Sequence, residues 1–253
     1  MDLKATRRTF IKTAATGSVA AIGLPSIVNA AFAGENFKKT GLKKDDILLF
    51  QGDSITDWGR DRSKTAANDA QGLGTGYAYL TSAELLKSNP DKNLQIFNKG
   101  VSGNKVYELI NRWNDDCINL KPTVLSIMIG VNDFWHTVSF GYKGTLEVYK
   151  TDYKKLLDQT QKALPGIRLV IGEPFAVKGV KAVDDKWYPT FNSYRETARE
   201  IANEYGATFI PYQSVFDKAQ ESAPGSYWTS DGVHPSIAGA SLMSHAWLKA
   251  VGA

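Results

Sequence analysis

From residue 46 onward the chain alternates between short, unbroken apolar runs and longer segments with apolar residues at helical spacing. The runs are 46–51 (DILLFQ), 94–98 (LQIFN), 123–129 (TVLSIMI), 167–172 (IRLVIG) and 207–210 (ATFI). They do not alternate polar with apolar, so they predict strands buried on both faces, as in a parallel sheet. Between them, Val106, Leu109, Ile110, Trp113 and Cys117 form one stripe over 104–117. Leu146, Tyr149, Tyr153, Leu156, Leu157 and Leu164 form another over 145–164. Further helices are expected at 76–88, 189–205 and 236–250. Strand and helix in regular alternation imply an α/β fold: a doubly wound parallel sheet with helices on both faces. Residues 59–75 are polar and glycine-rich, and predict a long loop after the first strand.

The first 33 residues do not belong to this pattern. Lys4, Arg7, Arg8 and Lys12 form a basic start, 13–34 carries no charge, and Ala31-Phe32-Ala33 offers a small-residue cleavage site. That order is an export signal, and Thr6-Arg7-Arg8-Thr9-Phe10-Ile11-Lys12 resembles the twin-arginine type. A membrane anchor is the competing reading, but Gly17, Gly23, Pro25 and Asn29 make the stretch only weakly apolar. The expected division is therefore a signal over 1–33 and one domain over 34–253, in a bacterial periplasmic or secreted protein without stable membrane association. The signal holds four bases and Asp2, a charge of +3, out of +4 for the whole chain. The remaining +1 argues against a nucleic-acid surface. The single cysteine, Cys117, excludes an internal disulfide; on the apolar stripe of 104–117 it reads as an inert core residue.

In doubly wound sheets ligands bind beyond the carboxyl ends of the strands, so the turns there are read together. The first strand runs into Gly52-Asp53-Ser54, the second into Asn98-Lys99-Gly100-Val101-Ser102-Gly103-Asn104, and the third into Gly130-Val131-Asn132-Asp133. Asp231-Gly232-Val233-His234-Pro235 follows the fifth. These turns supply the parts of a serine hydrolase. A hydroxyl becomes a useful nucleophile when a base takes its proton, and His234 is such a base with Asp231 three residues away to orient it. The oxyanion formed on attack needs donors placed in advance. The N–H groups of Ser54 and Gly103 and the Asn132 amide are suited to that. No His, Cys, Asp or Glu group has metal-site spacing, and Gly72–Gly76 lacks the spacing of a phosphate loop, so neither metal nor cofactor is expected.

GDSIT (52–56), NKGVSGN (98–104), GVND (130–133) and DGVHP (231–235) resemble the four blocks of the SGNH, or GDSL, hydrolases, in that family's order. The resemblance implies a three-layer α/β/α sandwich with a flavodoxin-like five-stranded parallel sheet. It also implies Ser54 as nucleophile, His234 as base, Asp231 as its partner, and Ser54, Gly103 and Asn132 as the oxyanion hole. GDSITDWGRDR (52–62), LGTGYAYL (73–80), RWNDDC (112–117) and KPTVLSIMIGVNDFW (121–135) are similar to a branch of bacterial carbohydrate acetylesterases that acts on acetylated sugars such as xylan. A lysophospholipase, thioesterase or short-chain lipase of the same family is the alternative, and a binding module without catalysis the reading from another class.

Other residues carry lesser expectations. Asp53 and Asp133 are expected to brace their turns, and Asp57 and Arg60 to pair. Trp58, Trp135 and Trp228 lie near the blocks and are candidates for contact with a sugar ring. His136 is placed on the cleft wall and His245 on the last helix, away from it.

Overall fold

The computed structural model describes residues 23–35 and 38–253; Arg7, Arg8 and most of the expected export signal lie outside them. Within the described residues, β1 (Ile47–Gly52), β2 (Gln95–Asn98), β3 (Val124–Met128), β4 (Arg168–Gly172) and β5 (Thr208–Ile210) form one sheet in the order β2-β1-β3-β4-β5. Every pairing is parallel. Each observed strand coincides with one of the apolar runs to within a residue or so at either end. The strand interiors are buried without a polar face, from Leu48, Leu49 and Phe50 on β1 to Val170 and Ile171 on β4. Each such side chain contributes about 1.5–3 kcal/mol by leaving water.

The helices are α1 (Leu24–Ala31), α2 (Ser54–Asp57), α3 (Ala70–Leu73), α4 (Tyr77–Ser88), α5 (Val106–Asp116), α6 (Val131–Ser139), α7 (Leu146–Ala163), α8 (Thr190–Glu204), α9 (Tyr212–Ala219), α10 (Gly225–Trp228) and α11 (Ile237–Val251). They flank the sheet in two groups. In one, α5 packs on α7 and α7 on α8; in the other, α11 packs on α4, α9 and α1. The stripes read from the sequence are the packed faces: Val106, Leu109 and Trp113 on α5, and Tyr149, Tyr153, Leu156 and Leu157 on α7, are buried. Buried indoles keep their N–H groups bonded, Trp113 to Thr160 Oγ1 at 2.8 Å and Trp247 to Ser126 Oγ at 3.0 Å, as low-dielectric surroundings require. Cys117 is buried, and burial pushes its thiol up to about 12, which leaves it unreactive.

Four features differ from the pattern-based reading. The turn expected at 130–133 runs directly into a helix, α6, over 131–139, where none was expected, and 212–219 is the helix α9. Residues 59–75 contain a helical turn, α3, capped by Asp69, whose carboxylate accepts from the N–H groups of Gln71 and Gly72. Residues 24–31, assigned to the export signal, form α1 with Ile27, Val28 and Ala31 buried against the domain.

β1 and β3 are adjacent, and the chain departs from them in opposite lateral directions, to β2 and to β4. The crevice beyond their carboxyl ends is the switch point of the sheet. Gly52 ends β1 there, in register with Met128 of β3. A Cβ at Gly52 would stand 2.3 Å from the Met128 carbonyl oxygen, so only glycine lets the two strand ends converge.

Candidate active site

At this crevice Ser54 opens α2 directly after β1. Asp53 caps that turn, its Oδ1 accepting from the Ile55 N–H at 3.0 Å. Ser54 Oγ lies 2.8 Å from His234 Nε2, and His234 Nδ1 lies 2.7 Å from Asp231 Oδ2. A carboxylate can only accept, so Nδ1 carries the proton and Nε2 presents its lone pair to the serine hydroxyl. The other Asp231 oxygen accepts from the N–H groups of Val233 and His234, at 2.9 and 2.8 Å, which closes the turn and fixes the carboxylate.

The electrostatics follow from those contacts. Burial alone would raise Asp231, but the His234 imidazole and the two N–H groups hold its carboxyl down at about 2. Burial alone would lower His234; its hydrogen bond to Asp231 and the charges of Asp231 and Asp53 outweigh burial and raise it above its ordinary value. A base so raised accepts a proton more readily than free imidazole.

Three groups were expected to donate to the oxyanion. No protein acceptor for the N–H of Ser54 or of Gly103 is found among the described residues. Gly103 has φ +82°, left-handed backbone that favours glycine, and a Cβ there would meet nothing within 4 Å. Asn132, buried at the start of α6, donates from Nδ2 to the Asn104 carbonyl at 3.2 Å, which links its loop to the one that carries Gly103. The loop carrying Gly103 is tied to the turn that carries Ser54. Asn98 Nδ2 donates to the Thr56 and Leu73 carbonyls at 2.7 and 3.0 Å. Asp57 Oδ2 accepts from both the N–H and the hydroxyl of Ser102, at 2.9 and 2.7 Å. Asp57 also pairs with Arg60, at 3.2 Å, and with Arg62. The Arg60–Asp57 pair is the one expected; the roles of Arg62, Asn98 and Ser102 are not legible from spacing, since they depend on two loops meeting across β1 and β2.

Asp53 and Asp133 are buried braces, Asp133 accepting from the Val106 N–H at 3.2 Å. Burial pushes each carboxyl up to about 7. The tryptophans divide. The Trp58 ring centroid is 5.5 Å from that of His234, with the residue 44% exposed, and the Trp135 centroid is 6.2 Å from it. Both rings are near the His234 imidazole. Trp228 is not: it is buried, and its indole N–H donates to the Ala219 and Ala223 carbonyls at 3.0 and 3.2 Å. The sequence distance from Trp228 to Asp231 is short, but α10 turns the ring inward onto α9, so sugar contact by Trp228 is withdrawn. His136 lies on α6 beside the site, and His245 is away from it on α11, Nδ1 bonded to the Ser241 carbonyl.

Residues 50–242 match the GDSL-like Lipase/Acylhydrolase family. The chain is 34% identical over 209 residues to an acetylxylan esterase of Geobacillus stearothermophilus, covering 81% of this chain and 93% of that one. Among solved structures, a Parabacteroides merdae protein described as a GDSL-like lipase superposes with a TM-score of 0.84 at 47% identity, over 85% of this chain and 99% of that one. A Geobacillus stearothermophilus acetylxylan esterase superposes with a TM-score of 0.75 at 32% identity, over 85% and 97%. With its parallel sheet, its blocks in order and its family match over most of its length, the chain belongs to the GDSL, or SGNH, hydrolases and is a carboxylesterase.

Proposed function

We propose that this protein is an exported serine esterase that removes O-acetyl groups from carbohydrates, with Ser54, His234 and Asp231 as its catalytic triad. The observation that carries the reading is the unbroken hydrogen-bond relay from Ser54 Oγ through the His234 ring to Asp231. The Ser54 oxygen attacks the acetyl carbonyl carbon as its proton passes to His234 Nε2. The carbonyl oxygen takes the negative charge and is held by the Ser54 and Gly103 N–H groups and the Asn132 amide. Collapse breaks the bond to the sugar oxygen, which leaves with the proton from His234. Water, deprotonated by the same imidazole, then attacks the acetyl-serine, and acetate departs with Ser54 restored. The acetyl and sugar assignment is supported by the acetylxylan esterase relatives. Catalytic mutants of one of them replace a serine, an aspartate and a histidine by alanine, the same three residue types.

Acetate release from acetylated xylan, mannan, pectin and sialic acid tests the substrate class; release from none of them rejects it. A second reading, a lipase or thioesterase for longer acyl groups, rests on an apolar cleft of about 410 Å³ lined by Trp58, Tyr79, Leu80, Pro235 and Ile237. A preference for octanoyl over acetyl esters of p-nitrophenol would favour it. Export is inferred from residues 1–33. Changing Arg7 and Arg8 together to Lys and fractionating cells checks it, with retention in the cytoplasm expected and unchanged export counting against it.

A further inference from the structure

Beside the oxyanion loop lies a lysine that the catalytic steps do not use. Lys105 is only 6% exposed. Its ammonium is 2.8 Å from Glu108 Oε2 and 3.5 Å from the Gly103 carbonyl. It lies under two stacked phenol rings, 5.5 Å from the Tyr107 centroid and 5.2 Å from that of Tyr142. Its remaining close neighbour is His136 Nδ1, at 3.3 Å.

An ammonium has three donors and no acceptor. The nitrogen facing it must therefore offer a lone pair, and a neutral imidazole whose Nδ1 is a lone pair carries its proton on Nε2. Burial and the Lys105 charge both hold His136 below its ordinary value, against the opposing pull of Glu108, so the ring is neutral near pH 7. His136 Nε2 meets no acceptor among the described residues. The ring is part of a continuous wall from the catalytic centre outward: His234 to Trp135 at 6.2 Å, Trp135 to Phe140 at 5.9 Å, and Phe140 to His136 at 4.9 Å. Phe140 is 67% exposed and Tyr107 37% exposed. Flat apolar faces beside a fixed N–H donor are the elements that grip a sugar ring, one by its C–H face and the other by a hydroxyl oxygen.

We propose that Lys105 fixes His136 as a neutral Nε2–H donor, and that His136 with Phe140 and Tyr107 forms the subsite that binds a sugar hydroxyl and ring of the acetylated substrate. Lys105 is a positioning residue here, and His136 sets specificity. The inference rests on the carbohydrate reading above, and the test separates the two.

The measurement is kcat/KM on an acetylated xylooligosaccharide divided by kcat/KM on p-nitrophenyl acetate, which has no sugar. His136→Phe and Phe140→Ala should each lower this ratio about tenfold, the loss of one hydrogen bond or ring contact. His136→Gln, which keeps an N–H donor, should restore most of it. An unchanged ratio in His136→Phe overturns the subsite. A wild type inactive on every sugar acetate overturns the carbohydrate reading instead. The tautomer is read independently by long-range proton–nitrogen NMR of the full chain. A protonated Nε2 and bare Nδ1 are expected, becoming a mixture in Lys105→Met. A protonated Nδ1 in the wild type overturns the role given to Lys105.

Discussion

Asp133→Asn should stabilise the protein, by an amount that grows with pH. The carboxyl is buried beside Asn132; one oxygen accepts from the Val106 N–H, and the other has no donor among the described residues. Burial raises it from 3.8 to about 7, the nearby Asp53 pushing the same way against the Val106 N–H and the Lys105 charge. The folded value exceeds the unfolded one, so the stability tied to the neutral carboxyl is fully present below about pH 4 and is lost as pH rises through about 7. At about 1.4 kcal/mol per pH unit, that span amounts to on the order of 4 kcal/mol. Asparagine holds the neutral form at every pH. Urea unfolding of both proteins should therefore show a relative gain of about 1.5 kcal/mol near pH 5 and on the order of 4 kcal/mol near pH 8. Any fixed cost of burying the amide shifts this curve without changing its slope. A difference that stays flat between these pH values would refute the reasoning. The point bears on catalysis because Asp133 is next to Asn132, the proposed oxyanion donor. While it is neutral, no fixed negative charge opposes the negative charge forming on the substrate.

Three further outcomes follow from the site. Asn132→Ala should lower kcat on the order of 10²–10³-fold with little change in KM, and a rise in KM alone would assign Asn132 to ground-state binding. Asp231→Asn should reduce kcat on the order of 10⁴-fold. Because Asp231 raises His234, the acid limb of the kcat/KM profile should also move to lower pH; a limb that stays in place or moves up contradicts the assignment. Removing the Asp57 clamp with Asp57→Asn should lower kcat through the Gly103 loop, and Ser102→Ala should give a smaller loss in the same direction. Full activity in Asp57→Asn shows that the loop holds itself.

What the sequence made legible, and what it did not, follows from how far each feature acts along the chain. The strands were readable because a strand covered on both faces has no polar positions, and the stripes of α5 and α7 because each helix buries one side. Ser54, proposed as the nucleophile, was readable because a strand runs straight into its short Gly-Asp-Ser turn, and Asp231 and His234 because a single short turn holds both. The helix α6 was not. It is nine residues long, begins in the polar Gly130–Asp133 turn, and is held by neighbours distant in sequence, such as Val106 on Asp133 and Phe134 against Trp187 at 5.2 Å. Trp228 shows the opposite failure. Its nearness to Asp231 along the chain suggested the cleft, while the carbonyls at the end of α9 draw its indole into the core. Lys105 sits inside the NKV that follows Gly103, yet only the meeting of this loop with α6, where Asp133 also takes the Val106 N–H, gives it His136 as a partner.

The central claim is tested most directly by trapping the covalent intermediate. The wild type, quenched in acid during turnover of an acetyl ester and digested, should yield the peptide around Gly52–Thr56 with one acetyl group on Ser54, and Ser54→Ala should yield none. Turnover that continues in Ser54→Ala, or an acetyl group found only on another residue, would contradict the account.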